Sequence, residues 1–128
     1  MLCFTLFISC KTRDSLDDCS KFHKGLFYIK SDKDSSYTLL ERNDSIQTVS
    51  NTKLSLKQSG KVVWRNSCEY EFYNLTQIED TVVLQLQPSI IRTRIIESGN
   101  NYYIFEAKMQ GIDKITRDTA WVNDGYLH

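Results

Sequence analysis

A catalytic centre needs a nucleophile with its base, a matched acid and base, or a set of metal ligands. The chain is poor in all three. It holds two histidines, His23 beside a predicted turn and His128 at the last position. Glu69 and Glu71 stand two apart in "CEYEF" and so share one face of a strand. That spacing could suit an acid–base pair, but its alternation with Tyr70 and Phe72 describes a solvated outer face better. No HExxH, GxSxG or phosphate-binding loop occurs. The four cysteines, at positions 3, 10, 19 and 68, match no zinc spacing. The sequence therefore reads as a non-enzyme with no metal and no cofactor, and its polar and aromatic residues are weighed for binding instead.

Strands must position those residues. "KGLFYI", "YTLLER", "SIQTVS", "TKLSLKQ", "KVVWRNSCEYEFYNL", "TVVLQLQ", "SIIRTRIIE", "NYYIFEAKMQ" and "DKITRDTAWV" are short apolar or alternating runs. Turn signals separate them at "KSDKDSS", "RND", Ser59-Gly60 and "SGN". A Thr76–Glu79 capping pattern predicts one helical turn at "TQIED", and "NDGYLH" reads as a frayed end. Seven to nine evenly spaced strands with no crossover helix predict an all-β fold, an antiparallel meander closed into a small barrel, with a flat sandwich as second choice. The residues expected to fill the barrel are Phe27, Trp64, Tyr70, Phe72, Leu84, Leu86, Ile95, Phe105 and Trp121.

Composition narrows the partners. Sixteen basic and sixteen acidic residues cancel, and no Lys/Arg cluster is denser than "IIRTRII", so a nucleic-acid partner is not expected. With 41% hydrophobic and 25% charged residues in 128, the chain has the makings of one ordinary globular domain.

The opening "MLCFTLFISCKTRD" supports two readings. As structure, Leu2, Phe4, Leu6 and Ile8 alternate like a buried strand. As an address, residues 1–9 are a short signal segment without its basic start. "FISC" resembles the loose lipobox of Bacteroidetes lipoproteins, with Cys10 as the lipidated residue. On that second reading residues 10–18 are a tether and 19–128 a single β-barrel domain. Ser15, three residues before Asp18, starts a short helix or 3₁₀ turn that lays Cys19 and Phe22 on the body. Export also accounts for every cysteine. Cys3 leaves with the signal, Cys10 is acylated, and Cys19 and Cys68 remain as a pair in an oxidising compartment. A bridge closing a loop of about 50 residues contributes roughly 3–4 kcal/mol. The alternative is two free, buried cysteines.

The lipobox, "CSKFHKGLF", "ERNDSIQ" and "VVWRNSCEYEF" resemble pieces of a group of small Bacteroidetes lipoproteins without assigned activity. The resemblance covers the first half of the chain and implies a small, exported, lipocalin-like barrel. It singles out Arg42, Asp44 and Trp64, which read either as a binding patch or as a turn, a local ion pair and a barrel filler. A second loop, "ESGNNYY", places Ser98 and Gly99 ahead of Tyr102 and is similar to the SGxxY loop of periplasmic lysozyme inhibitors, although any hairpin turn favours such residues. The expected function is that of a non-catalytic cell-envelope lipoprotein, held to the membrane by lipid and facing the periplasm or the surface. Its role is binding or structural, toward a small apolar ligand or an envelope protein. The rival readings are inhibition of a lysozyme-like enzyme through the Ser98–Tyr102 loop and carriage of an apolar molecule inside the barrel.

Overall fold

The structure, a computed structural model, describes residues 18–53, 56–79, 82–85 and 90–124. The signal segment 1–9, Cys10, the tether as far as residue 17, Ser15, Leu86, and residues 125–128 with His128 lie outside the described residues. Nine strands follow one 3₁₀ turn, η1 (Ser20–Phe22). They are β1 (Gly25–Lys30), β2 (Tyr37–Arg42), β3 (Ile46–Asn51), β4 (Leu56–Asn66), β5 (Glu69–Glu79), β6 (Val82–Gln85), β7 (Ile91–Ser98), β8 (Tyr102–Met109) and β9 (Ile115–Val122). All the pairings are antiparallel. Eight strands close into a barrel in the order β1-β2-β3-β4-β5-β7-β8-β9, sealed by the β1–β9 pairs Phe27↔Val122 and Tyr28↔Trp121. Closure removes the open edges that a flat sheet would present.

The ninth strand is accommodated by the length of β5. Its first half, Glu69–Phe72, pairs with β7, and its far end, Thr76–Glu79, pairs with β6. The predicted helical turn at "TQIED" is therefore corrected to strand. Val82–Glu79 pairing gives this stretch cross-strand partners, and a local capping signal does not outweigh a full ladder.

Two turn positions also differ from expectation. Ser59-Gly60 makes no turn. Gly60 is buried and pairs with Gln47, so β4 continues through it, with a register shift against β5 between Ser59 and Lys61. The reversal falls instead inside "KVVWRNSCEYEFYNL", at Ser67-Cys68, between β4 and β5. Asn66 sets it by accepting the Cys68 N–H on Oδ1 at 2.9 Å. Asp34, Asn43 and Asn51 do the same for the residue two places on, at 2.8, 3.0 and 2.8 Å. Short carboxylate and amide side chains thus shape the four hairpins of the first half by satisfying turn N–H groups that no ladder reaches.

Alternation then sorts the side chains. Phe27, Leu40, Val62, Tyr70, Phe72, Ile95, Tyr103 and Ala120 are buried inside. Glu71, Arg92, Arg94 and Glu106 lie outside, where Glu71 pairs with Arg92 at 3.0 Å and Arg94 with Glu106 at 3.1 Å. The N-terminal turn was legible from spacing. Cys19 and Phe22 are fully buried against one end of the barrel, and Cys19 is bridged to Cys68 with Cα atoms 5.0 Å apart.

Candidate functional site

One end of the barrel interior is built around a charge. Arg42 follows Leu40 on the inward phase of β2 and is 2% exposed. No ion pair to it is found among the described residues; the ion pairs found there join other side chains. Its charge is spread over neutral partners instead. Nη1 donates to Gln47 Oε1 at 2.8 Å and to Tyr70 Oη at 3.2 Å. Nη2 donates to the Phe22 carbonyl at 2.6 Å and to Tyr103 Oη at 3.0 Å. The guanidinium also lies 4.9 Å from the Phe27 ring centre and 5.0 Å from that of Tyr70, close enough for cation–π attraction.

These contacts answer the desolvation problem that a buried cation poses. Burial works against the charge, but the phenol oxygens of Tyr70 and Tyr103 outweigh it and the Arg42 pKa moves up. Burial in turn pushes the Tyr103 phenol up to about 12, against the opposing pull of Arg42, so it remains a neutral hydroxyl. Two N–H groups of the cluster, Arg42 Nε and Trp64 Nε1, are buried without a hydrogen-bond partner.

Trp64 completes the wall. His23 stacks on it at 3.6 Å, Tyr70 packs on it at 4.6 Å, and His23 Nε2 meets the Ser67 carbonyl at 2.8 Å. This ring is fixed by stacking and hydrogen bonding, not set against a nucleophile. Glu71, held between Arg65 and Arg92, is likewise spent on surface ion pairs. Among the described residues no group of three His, Cys, Asp or Glu side chains is placed to hold a metal.

The three residues singled out together are separated by the fold. Arg42 and Trp64 are interior neighbours, 5.7 Å from guanidinium carbon to ring centre. Asp44 sits on the exposed β2–β3 turn and pairs with Lys24 at 3.8 Å. Arg42 pairs locally with Gln47, five residues on, and also reaches Tyr70 and Tyr103, 28 and 61 residues away. Ser98, Gly99 and Tyr102 do come together. The Gly99 N–H donates to the Tyr102 carbonyl at 3.0 Å, and the Tyr102 ring covers Gly99 so closely that a Cβ there would collide with it.

Most of the expected fillers are inside, but Trp121 is not. In "TRDTAWV" the inward phase belongs to Ala120 and Val122, and Trp121 shares the outer phase with Arg117 and Thr119. Size suggested the wrong face, and local charge does not correct it, since Arg117 and Asp118 lie on opposite phases and are both exposed. The side chain of Leu84, on β6, lies outside the described set, as Leu86 does altogether.

On the outside Trp121 joins a row of half-buried rings running over four strands. It pairs in register with Tyr28 and with Tyr102, whose ring centre is 5.3 Å away, and Tyr28 meets Tyr37 edge-on at 5.6 Å. A cavity of about 340 Å³ opens beside the row, lined by Tyr28, Tyr37, Asn101, Trp121, Val122, Asn123 and Asp124.

The chain matches no family model, no curated protein and no solved structure. Its own geometry therefore carries the functional argument: a barrel end filled around Arg42, and an aromatic, polar-rimmed concavity on the outer wall.

Proposed function

We propose that the protein is a non-catalytic, lipid-anchored binding protein of the bacterial cell envelope that meets its ligand on the outside of the barrel. The observation that carries this reading is the occupancy of the interior. Phe22, Phe27, Arg42, Trp64, Tyr70 and Tyr103 lock together there through hydrogen bonds and ring contacts. A carrier of an apolar molecule needs that space open and lined by hydrocarbon. A cation with four hydrogen bonds into the walls is a poor lining for such a ligand.

The Cys19–Cys68 bridge supports the envelope address, because disulfides persist mainly in oxidising compartments. Lipidation at Cys10, and kinship with the small Bacteroidetes lipoproteins that the sequence resembles, fit the same address. Inhibition of a lysozyme-like enzyme is the weaker alternative. The Tyr102 ring lies back on Gly99 and Trp121, which leaves the exposed Asn100 and Asn101 at the tip of that loop.

Hydrogen exchange of the full chain, with and without separated envelope fractions (polysaccharide, lipid extract, protein), tests the reading. Protection confined to outer-wall strands supports it. A change that begins at the Arg42 end of the barrel, or no protection by any fraction, overturns it.

A further inference from the structure

We propose that the concavity beside Trp121 is a saccharide site that takes a neutral pyranose unit of a glycan. The inference rests on the outer-face reading above and names its ligand class.

A solvated outer wall is normally polar, as Glu71, Arg92, Arg94 and Glu106 are on β5, β7 and β8. Tyr37, Tyr28, Trp121 and Tyr102 break that rule on four adjacent strands, β2, β1, β9 and β8. Cross-strand ring pairs stabilise a sheet by roughly 0.2–1 kcal/mol each, which accounts for a pair but not for a row beside a cavity.

The lining decides the chemistry. Aromatic rings offer flat apolar surface, which suits the C–H face of a pyranose. Asn101 and Asp124 stand at the same cavity and supply an amide donor and acceptor and a carboxylate, the groups that vicinal hydroxyls bond. Charge excludes the obvious rivals. Lys30 stands 5.9 Å from the Trp121 ring centre, while the cavity lining holds Asp124 and no basic residue, so a phosphate chain finds no basic track. An apolar ligand would cover the Asn101 amide and the Asp124 carboxylate without offering either a hydrogen bond. The volume, about 340 Å³, falls within the range of small-molecule sites and is open to solvent, so a unit within a longer chain can enter from the side.

The test is native affinity electrophoresis of the full chain in gels holding laminarin, xylan, glucomannan or glycol chitin, followed by titration with the matching hexasaccharide. The first three gels report a neutral environmental polysaccharide, and the last an amino-sugar glycan of the wall type. Retardation in at least one gel is expected, with affinity falling at least tenfold in Trp121→Ala. Tyr37→Ala, whose ring meets only Tyr28 among the described ring pairs, should weaken binding too and guards against a fold defect at Trp121. Binding that survives both substitutions overturns the site. No retardation in any gel, while envelope lipid or protein still protects β1 and β9 in hydrogen exchange, overturns the ligand class and leaves the outer-face reading standing. No retardation and no protection would sink both.

Discussion

Arg42 and Tyr103, 61 residues apart in sequence, are joined across the barrel by a 3.0 Å hydrogen bond from Nη2 to the phenol oxygen. The bond ties β2 to β8, and the same nitrogen holds the carbonyl of Phe22 at 2.6 Å. One side chain therefore fastens two opposite walls and the N-terminal turn that closes the end.

Arg42→Lys tests that fastening. An ammonium keeps the charge but has no planar fork to reach four acceptors, so partners are left unsatisfied in a dry site. A loss of roughly 2–4 kcal/mol in urea unfolding is expected. A loss under about 0.5 kcal/mol, the range of ordinary surface substitutions, would show that the cluster is not a fastening.

Tyr103 gives the fold an alkaline limit. Its pKa is 10.0 in the unfolded chain and about 12 in the barrel, so the folded state holds the phenolic proton more tightly. That contribution is fully present below pH 10 and fades as pH rises toward 12, by roughly 2–3 kcal/mol in all. Tyr103→Phe should flatten this part of the stability–pH curve. An unchanged slope between pH 10 and 12 would place the titration elsewhere.

The Cys19–Cys68 bridge closes a loop with a sequence separation of 49. Chain entropy assigns it about 4 kcal/mol, so the Cys19→Ser, Cys68→Ser double variant should lose most of that in urea unfolding. The intact mass of exported protein should be lower by two hydrogens than that of the reduced form. Two free thiols in the exported protein would contradict both the bridge and the compartment argued from it.

Gly99→Ala should cost about 1–3 kcal/mol, because the added methyl meets the Tyr102 ring and one of them must move. Tyr102→Ala in the same chain should restore much of the loss. A double-mutant cycle with no coupling energy would mean that the backbone, not the ring, demands glycine at this turn.

For the address, intact mass and detergent partition of protein made with its upstream region in a related bacterium should reveal an acylated chain beginning at Cys10. A soluble, unmodified chain retaining Met1 refutes the lipoprotein reading.

The fold was legible where a side chain's type and phase agree. "EYEF" declared its two faces, "RND" its turn, and the spacing of Cys19 and Phe22 their common burial, because each signal is local. Phase and type conflict at the two places that matter most. Arg42 occupies an inward position with a residue expected outside, and Trp121 an outward position with a residue expected inside. What resolves both is partners far away in sequence: Tyr70 and Tyr103 for the first, Tyr28 for the second. The long β4–β5 hairpin was misjudged for a related reason. Gly60 and Thr76 carry turn and helix signals, and only pairing with Gln47 and Gln85 makes them strand.

The barrel's seam also imposes an order of assembly. β1 is closed by β9, the strand made last of the nine, so the ring cannot shut until Val122 has been synthesised. Both bridging cysteines emerge much earlier, ahead of β6 through β9. The covalent link can thus pin the N-terminal turn to the β4–β5 hairpin while nearly half the wall is missing. It acts as a clasp on an unfinished vessel: the nascent half is held in register, and the late, non-local closure of the seam becomes a docking step onto a scaffold already fixed.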